Sequence, residues 1–298
     1  MLDPGLQDKV ALITGANNPR GIGAAVARTL ATQGAGVFLH GYRGANVHPR
    51  HPEQSGGSPE AEQPGEQLYS RLGRTPLNEV VQAIQASGGR AAGLEGDLSR
   101  PAFIPALFDA AEKALGPVQI VVNNAAYWEA DSFVPGDEEL ANKVVELWTD
   151  RPQTFSPGVF DRMFAVNTRA VAHVMAEFAR RHVARGAGWG RLINISTAGS
   201  YSFPSEVTYG ASKLALEGYT RSAAMELARF GITANSILPG PVQSGWITPE
   251  LEEAILPTMP AGRLGEPQDI ANAILLLVSV QADWISGQTI YVGGGHGM

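Results

Sequence analysis

The chain has 298 residues, carries a formal net charge of −7 and contains no cysteine. The missing cysteines exclude disulfides, thiolate metal sites and thiol catalysis, and the acidic balance argues against nucleic acid or a membrane surface as a partner. No apolar run approaches the ~20 residues of a membrane helix, and the first ten residues lack the basic-then-apolar layout of a signal peptide. We therefore expect a cytoplasmic globular protein.

Apolar strand-like runs alternate with helical stretches along most of the chain, which is typical of a parallel sheet with helices on both faces. The predicted strands are 10–13, 37–39, 91–94, 118–122, 191–195, 233–238 and 288–292. The predicted helices are 21–33, 75–88, 99–116, 157–185, 208–230 and 267–280. This order predicts one α/β domain over residues 1–298, a Rossmann-like doubly wound sheet of about seven strands.

Two stretches interrupt the alternation of strands and helices. Residues 44–74 are rich in Pro, Gly, Ser, His and charged side chains, with almost nothing to bury, and we expect a long mobile insertion there. A second insertion at 128–155 has a short helical pattern at 138–148. His48 and His51 stand three residues apart in the first insertion, but no further ligand is fixed nearby, so we predict no metal site.

The turn after the first strand opens a helix and carries three glycines, at positions 15, 21 and 23. Glycines there let the backbone approach a pyrophosphate, and a helix N-terminus offers free N–H groups and a positive dipole end. The end of the second strand, at 40–43, has no acid to bind a ribose hydroxyl of NAD. Arg43, with Arg20 in the turn, can instead pair with a 2′-phosphate. The pattern predicts a dinucleotide site that favours NADP(H), with NAD(H) as the alternative.

Tyr209 and Lys213 stand four residues apart at the start of a predicted helix, and therefore on one face. A phenol has a reference pKa near ~10, which a neighbouring ammonium lowers. Tyr219 and Tyr201 have no such partner four residues on. Ser196 follows an apolar strand, at the edge where doubly wound sheets bind ligands. Its hydroxyl can hydrogen-bond a carbonyl oxygen as negative charge develops there.

Together these features resemble the short-chain dehydrogenase/reductase family over essentially the whole chain, and within it the branch of the 3-oxoacyl-(acyl-carrier-protein) reductases. The matching motifs are Asn123-Asn124-Ala125-Ala126 (with alanine for the usual final glycine), Asn167 in Val-Asn-Thr, Ser196 thirteen residues before Tyr209, Gly199, Pro239-Gly240-Pro241-Val242 and Asp97-Leu98. By resemblance we also expect a homo-oligomer, a tetramer or a dimer.

The resemblance implies four catalytic residues: Asn167, Ser196, Tyr209 and Lys213. Tyr209 exchanges a proton with the substrate oxygen, Lys213 lowers the pKa of Tyr209 and holds the nicotinamide ribose, Ser196 orients and polarises the carbonyl, and Asn167 fixes a water in a proton relay. The implied cofactor-binding residues are Gly15, Asn17, Arg20, Gly21, Ile22, Gly23, Tyr42, Arg43, Asp97, Leu98, Asn124, Ala125, Ala126, Tyr209, Lys213, Pro239, Gly240, Val242 and Ser244.

The chain also departs from the family pattern. Gly15 and Gly21 are six residues apart rather than four, so Asn17, Asn18 or Arg20 can make contacts that the usual turn lacks. Ser244 stands where threonine is common. Among aromatic residues we predict Tyr201, Phe203 and Trp246 in the substrate pocket, whereas Tyr127, Trp128 and Trp148 fit a substrate wall and the core of the second insertion equally well.

The leading hypothesis is an enzyme that moves hydride between NAD(P)(H) and a small carbonyl/alcohol substrate, with a 3-oxoacyl-thioester-like or other ketone being reduced. One alternative is a dehydrogenase of a sugar, polyol or steroid-like alcohol, since variable loops determine the substrate. A non-catalytic regulator that senses NAD(P) is the third hypothesis. Regulators of that kind typically lose the tyrosine or the lysine, and this chain keeps both.

Overall fold

The computed structural model describes residues 3–44, 62–136, 138–147 and 152–297. Its strands are β1 (Val10–Ile13), β2 (Gly36–Gly41), β3 (Arg90–Glu95), β4 (Ile120–Asn123), β5 (Asp131–Ser132), β6 (Gln153–Thr154), β7 (Gly190–Ile195), β8 (Ile232–Pro239) and β9 (Thr289–Val292). Seven of them form one parallel sheet in the order β3-β2-β1-β4-β7-β8-β9, and β5 pairs with β6 separately. All seven predicted strands are present, so the predicted fold class is confirmed.

The α-helices are α1 (Ile22–Thr32), α2 (Glu66–Gly73), α3 (Leu77–Ala86), α4 (Phe103–Leu115), α5 (Pro157–Phe164), α6 (Val171–Ala184), α7 (Val207–Leu227), α8 (Pro249–Ile255) and α9 (Pro267–Val278). Helices α1, α3 and α9 bury their apolar side chains against one face of the large sheet, and α4, α6 and α7 cover the other face. None of the described helices is both long and apolar enough to cross a membrane.

Strand β4 shows why the centre of the sheet is apolar throughout. All four of its residues are buried, and neighbouring side chains belong to opposite cores, Val122 to one and Val121 to the other. Side chains alternate along a strand, so a strand covered on both faces needs apolar residues at nearly every position. The strand order reverses between β1 and β4, which opens a crevice at their carboxyl ends.

The predicted insertion at 44–74 contains a helix that the sequence pattern did not indicate, α2 at residues 66–73. Leu68 of α2 is fully buried, and the backbone N–H of Gly65 donates to the carbonyl of Gly245 at 2.8 Å. A loop distant in sequence therefore covers the few apolar residues of α2. In the second insertion the predicted helix is a 3-10 helix at Lys143–Leu147. His48, His51 and Trp148 lie outside the described residues.

Candidate active site

The glycine turn lies directly against the segment that follows β4. Gly15 has φ +68°, and a Cβ there would lie 2.7 Å from the Cα of Ala125. A Cβ at Gly23 would lie 2.6 Å from the carbonyl oxygen of Gly15. Gly21 begins α1 without a side-chain cap, so the first N–H groups of that helix remain open to an anion. The turn therefore fits the pyrophosphate of a dinucleotide.

Hydrogen bonds tie this turn to Asn124. The hydroxyl of Thr14 accepts from the backbone N–H groups of Asn124 and Ala125, each at 3.0 Å. In return the amide of Asn124 donates to the carbonyls of Thr14 at 3.0 Å and Gly15 at 2.9 Å. The glycine turn and the segment after β4 therefore form one rigid edge of the crevice.

His40 supports the same turn, and sequence reasoning missed this role. Its Nδ1 accepts from the N–H of Gly15 at 3.3 Å, and its Nε2 lies 2.8 Å from the carbonyl of Gly96. Burial lowers the pKa of His40 to about 4, so the ring is neutral near pH 7 and can accept at one nitrogen while donating at the other. The sequence showed that no acid stands at this position. The contacts of His40 with Gly15 and Gly96, however, depend on the packing of β2 against β3.

Asn17 and Asn18 of the longer turn both contact protein groups. The amide of Asn17 donates to the carbonyl of Gly73 at the end of α2. The amide of Asn18 donates to the carbonyl of Ser244 at 3.2 Å. The longer turn thus anchors both α2 and the loop that follows β8, which together border the crevice.

Arg43 forms an ion pair with Glu95 at the ends of β2 and β3. Its Nε and Nη2 both lie 2.7 Å from Oε2 of Glu95. The Arg43 side chain is 46% exposed, and its Nη1 has no hydrogen-bond partner among the described residues. Arg43 is thus available to an anion, although Glu95 already offsets part of its charge.

Tyr209 and Lys213 lie together on the first turns of α7. The Nζ of Lys213 is 5.7 Å from the centroid of the Tyr209 ring and donates to the carbonyl of Ile195 at 2.8 Å. Burial lowers the pKa of Lys213 to about 8. Burial also raises the pKa of Tyr209, and electrostatic interactions with Glu206 and Tyr69 add to that rise. No contribution from Lys213 lowers the pKa of Tyr209 here, so the phenol holds its proton at neutral pH.

Ser196 contacts α7 with its hydroxyl. The hydroxyl donates to Oε1 of the fully buried Glu217 at 2.6 Å. Two residues earlier, Asn194 donates to the hydroxyl of Thr220 on the same helix at 2.7 Å, so both side chains lie on the α7 face of the sheet. Thr197, the next residue, is partly exposed in the crevice. Its Oγ1 accepts from the N–H of Gly199 at 3.4 Å, which leaves its own proton for another acceptor.

Asn167 lies in a π-helical stretch between α5 and α6, Ala165–Ala170. Its Oδ1 accepts from the N–H of Tyr127 at 2.8 Å, and its Nδ2 donates to the carbonyl of Tyr127 at 2.8 Å and to the hydroxyl of Ser212 at 3.1 Å. These contacts hold the segment after β4 in place beside α7. Both amide protons of Asn167 are therefore donated to protein groups, and its predicted contact with a water stays a prediction.

One cavity of about 820 Å³ joins most of the predicted site. Its lining includes these predicted residues: Gly15, Asn17, Gly21, Ile22, Tyr42, Asp97, Leu98, Asn124, Ala125, Ala126, Ser196, Tyr209, Lys213, Pro239, Gly240, Val242 and Ser244. Arg20, Gly23, Arg43 and Asn167 lie outside this lining. Of the aromatic candidates, Tyr127, Trp128, Phe203 and Trp246 line the cavity, whereas Tyr201 is 70% exposed and lies outside it.

Replacing Gly15 with alanine is expected to weaken cofactor binding at least about ten-fold and to lower the free energy of unfolding by about 2–4 kcal/mol. The left-handed backbone costs about 1–2 kcal/mol for a residue with a Cβ, and the clash with Ala125 adds a packing cost. Cofactor titration by fluorescence and denaturant unfolding measure the two effects. Gly88, with φ +85° and nothing within 4 Å of an added Cβ, supplies the control Gly88→Ala, which is expected to bind cofactor normally. Normal cofactor binding by Gly15→Ala would contradict the assignment.

Several known proteins are similar to this chain. A family model described as enoyl-(acyl carrier protein) reductase matches residues 61–296. The uncharacterized oxidoreductase YjdA of Bacillus subtilis is 31% identical, over 97% of each chain. An NADPH-dependent aldehyde reductase-like protein of Arabidopsis thaliana is 32% identical, over 98% of this chain and 95% of its own.

A solved structure shares the fold over nearly the full length. It is a blue fluorescent protein from a metagenomic library, crystallised in complex with NADPH. The two chains are 26% identical with a TM-score of 0.73, over 98% of this chain and 99% of the other.

Proposed function

The chain belongs to the short-chain dehydrogenase/reductase family and is an oxidoreductase of the alcohol/carbonyl pair, and we propose that it reduces a ketone with NADPH. The observation that carries this proposal is the meeting of Tyr209, Lys213 and the glycine turn in one cavity. A protonated phenol beside a buried ammonium is suited to give a proton to a carbonyl oxygen. The complete Tyr–Lys pair favours turnover over passive nucleotide sensing.

Each residue of the site has a separate role in that reaction. The dinucleotide supplies hydride when bound, and the glycine turn and the start of α1 would hold its phosphates, with Asn124 fixing the position of the turn. Tyr209 donates its proton to the substrate oxygen. The ammonium of Lys213 then stabilises the phenolate. We assign the hydrogen bond that polarises the carbonyl to Thr197 in place of Ser196, because the proton of Ser196 is directed to Glu217.

Three observations support NADP(H) over NAD(H). The end of β2 carries no acid, Nη1 of Arg43 has no partner among the described residues, and both an NADPH-dependent aldehyde reductase-like protein and a structure solved with NADPH are similar to this chain. A 2′-phosphate carries charge that a guanidinium can pair with directly. The substrate expected from the sequence, a 3-oxoacyl thioester, stays a prediction.

The purified protein is expected to oxidise NADPH with a short 3-oxoacyl thioester or another ketone, and NADH at least about ten times less efficiently. Replacing Arg43 with alanine is expected to raise the KM for NADPH about ten-fold and to leave that for NADH unchanged, because a hydrogen bond to a charged group contributes about 1.5–3 kcal/mol. Absorbance at the reduced nicotinamide band follows both reactions.

The matched control is Glu95→Gln, which removes the charge opposite Arg43 but keeps an acceptor for the N–H of Leu77, now 2.8 Å from Oε1 of Glu95. We expect this variant to bind NADPH at least as tightly as the unmodified protein. A preference for NADH, or an Arg43→Ala variant that keeps its NADPH affinity, would refute the cofactor assignment. Absence of turnover across a broad ketone panel would refute the reductase proposal.

A further inference from the structure

A buried carboxyl group lies in the cavity beside the catalytic tyrosine. Glu206 is 4% exposed and immediately precedes α7, three residues before Tyr209. Residues three apart at a helix start lie on the same side, and Glu206 and Tyr209 line the same cavity. None of the roles assigned to Tyr209, Lys213 or Thr197 uses this carboxyl group.

The contacts of Glu206 leave one oxygen open. Its Oε2 accepts from the indole N–H of Trp128. Within the described part of the chain, no donor lies within hydrogen-bonding distance of Oε1, and no lysine, arginine or histidine forms an ion pair with Glu206. Glu206 lines the cavity, so a donor on a bound molecule can supply the hydrogen bond that the described residues do not give to Oε1.

A charged neighbour of Glu206 is another acid, Asp131, whose carboxylate already accepts hydrogen bonds. Asp131 of β5 forms a backbone bridge to Glu206, and its own carboxylate accepts from the N–H of Thr208 at 2.9 Å and from the Thr208 hydroxyl. Burial and Asp131 raise the pKa of Glu206 to about 7, against the opposing hydrogen bond from Trp128. Near neutral pH the group is therefore present both as a carboxylate and as an acid.

A hydroxyl group suits both forms, since it donates to a carboxylate and accepts from a carboxylic acid. A substrate carboxylate or phosphate at the same place would be repelled by the ionised form and by Asp131. An unsubstituted alkyl ketone has no hydroxyl group to donate to Oε1.

We propose that Glu206 binds a hydroxyl group next to the reacting carbonyl, so that the preferred substrates are hydroxyketones and the products are vicinal diols. The inference rests on the proposed reductase function and narrows its substrate class. Tyr69 of α2 also lines the cavity, so this helix helps to close the cavity near Tyr209. Excluding water from the cavity strengthens a hydrogen bond between Glu206 and a substrate hydroxyl.

The test compares three ketones that differ only at one carbon: 1-hydroxybutan-2-one, butan-2-one and 2-oxobutanoate. Each is titrated by calorimetry into the complex of the protein with NADP⁺, in which no hydride is available for reduction, and separately assayed for NADPH oxidation. We expect the hydroxyketone to bind and react about ten-fold or more better than butan-2-one, and 2-oxobutanoate to bind and react least well.

Glu206→Gln keeps an acceptor for Trp128, and we expect it to reduce the preference for the hydroxyketone at least about three-fold. The binding and reduction of butan-2-one are expected to stay unchanged in this variant.

Ser202→Ala, at another polar position of the same cavity, is the matched control and is expected to keep the preference. Equal binding of the hydroxyketone and butan-2-one by the unmodified protein would overturn the inference, as would an equal loss for both in Glu206→Gln. Glu206→Leu repeats the comparison if the glutamine still binds the hydroxyl. Selective hydroxyketone binding without NADPH oxidation would support the role of Glu206 and refute the reductase proposal, so the two failures are distinguishable.

Discussion

Replacing Tyr209 with phenylalanine is expected to lower kcat for ketone reduction about a thousand-fold and to change NADPH affinity less than about three-fold. Proton transfer by a positioned side chain contributes about 10²–10⁴-fold to a rate, and this change removes only the phenolic hydroxyl. The Tyr209 ring lies 6.2 Å from the ring of Phe203, a contact that phenylalanine retains. Steady-state kinetics and a fluorescence titration of NADPH separate the two effects.

The control is Tyr219→Phe on the same helix. Tyr219 is 50% exposed and has no lysine four residues on, so we expect unchanged kinetics. Turnover that survives in Tyr209→Phe would refute the proton-donor role, whereas a parallel loss of NADPH binding would mean that the hydroxyl mainly holds the cofactor.

Thr197→Val is expected to lower kcat/KM about a hundred-fold, and Ser196→Ala less than about ten-fold. Removing one donor to a developing oxyanion costs about 10²–10³ in rate, and valine replaces the threonine hydroxyl with a methyl group of similar size. Ser196→Ala instead deprives the buried Oε1 of Glu217 of its donor, so its effect is expected on stability, at about 1–3 kcal/mol. Kinetics at saturating NADPH and denaturant unfolding measure the two variants side by side.

The conservative variant Thr197→Ser keeps a hydroxyl and is expected to restore activity to within about five-fold of the unmodified protein. If Ser196→Ala loses more activity than Thr197→Val while remaining as stable as the unmodified protein, the polarising role returns to Ser196. That result would mean that the serine hydroxyl leaves Glu217 when substrate binds.

The sequence predicted the sheet and the main features of the site, because those signals are local. Apolar runs such as 118–122 report burial on both faces within five residues, and the spacing of Tyr209 and Lys213 places them on one helix face. The glycine turn was recognisable for the same reason. The six-residue spacing of Gly15 and Gly21 predicted further contacts by Asn17, Asn18 or Arg20, and the side chains of Asn17 and Asn18 make contacts to other segments.

Other parts of the site depend on residues that are far apart in the chain. The partner of Ser196 follows from how α7 packs along β7, and the partner of Asn17 follows from where α2 lies. The helix α2 has few apolar residues, so its sequence resembles a solvated loop until the loop around Gly245 covers Leu68. His40 and Glu206 became recognisable as functional groups only when their neighbours were known.

By itself, the sequence determined the doubly wound fold, the glycine turn and the Tyr–Lys pair. Each follows from hydrophobic periodicity or from backbone requirements within one strand, turn or helix. Only the tertiary structure decided that Ser196 contacts Glu217, that Thr197 is more exposed in the cavity than Ser196, and that Oε1 of Glu206 receives no hydrogen bond from the described residues. The physical reason is that burial, hydrogen-bond partners and pKa depend on which distant segments pack together, and these contacts have no short-range signature.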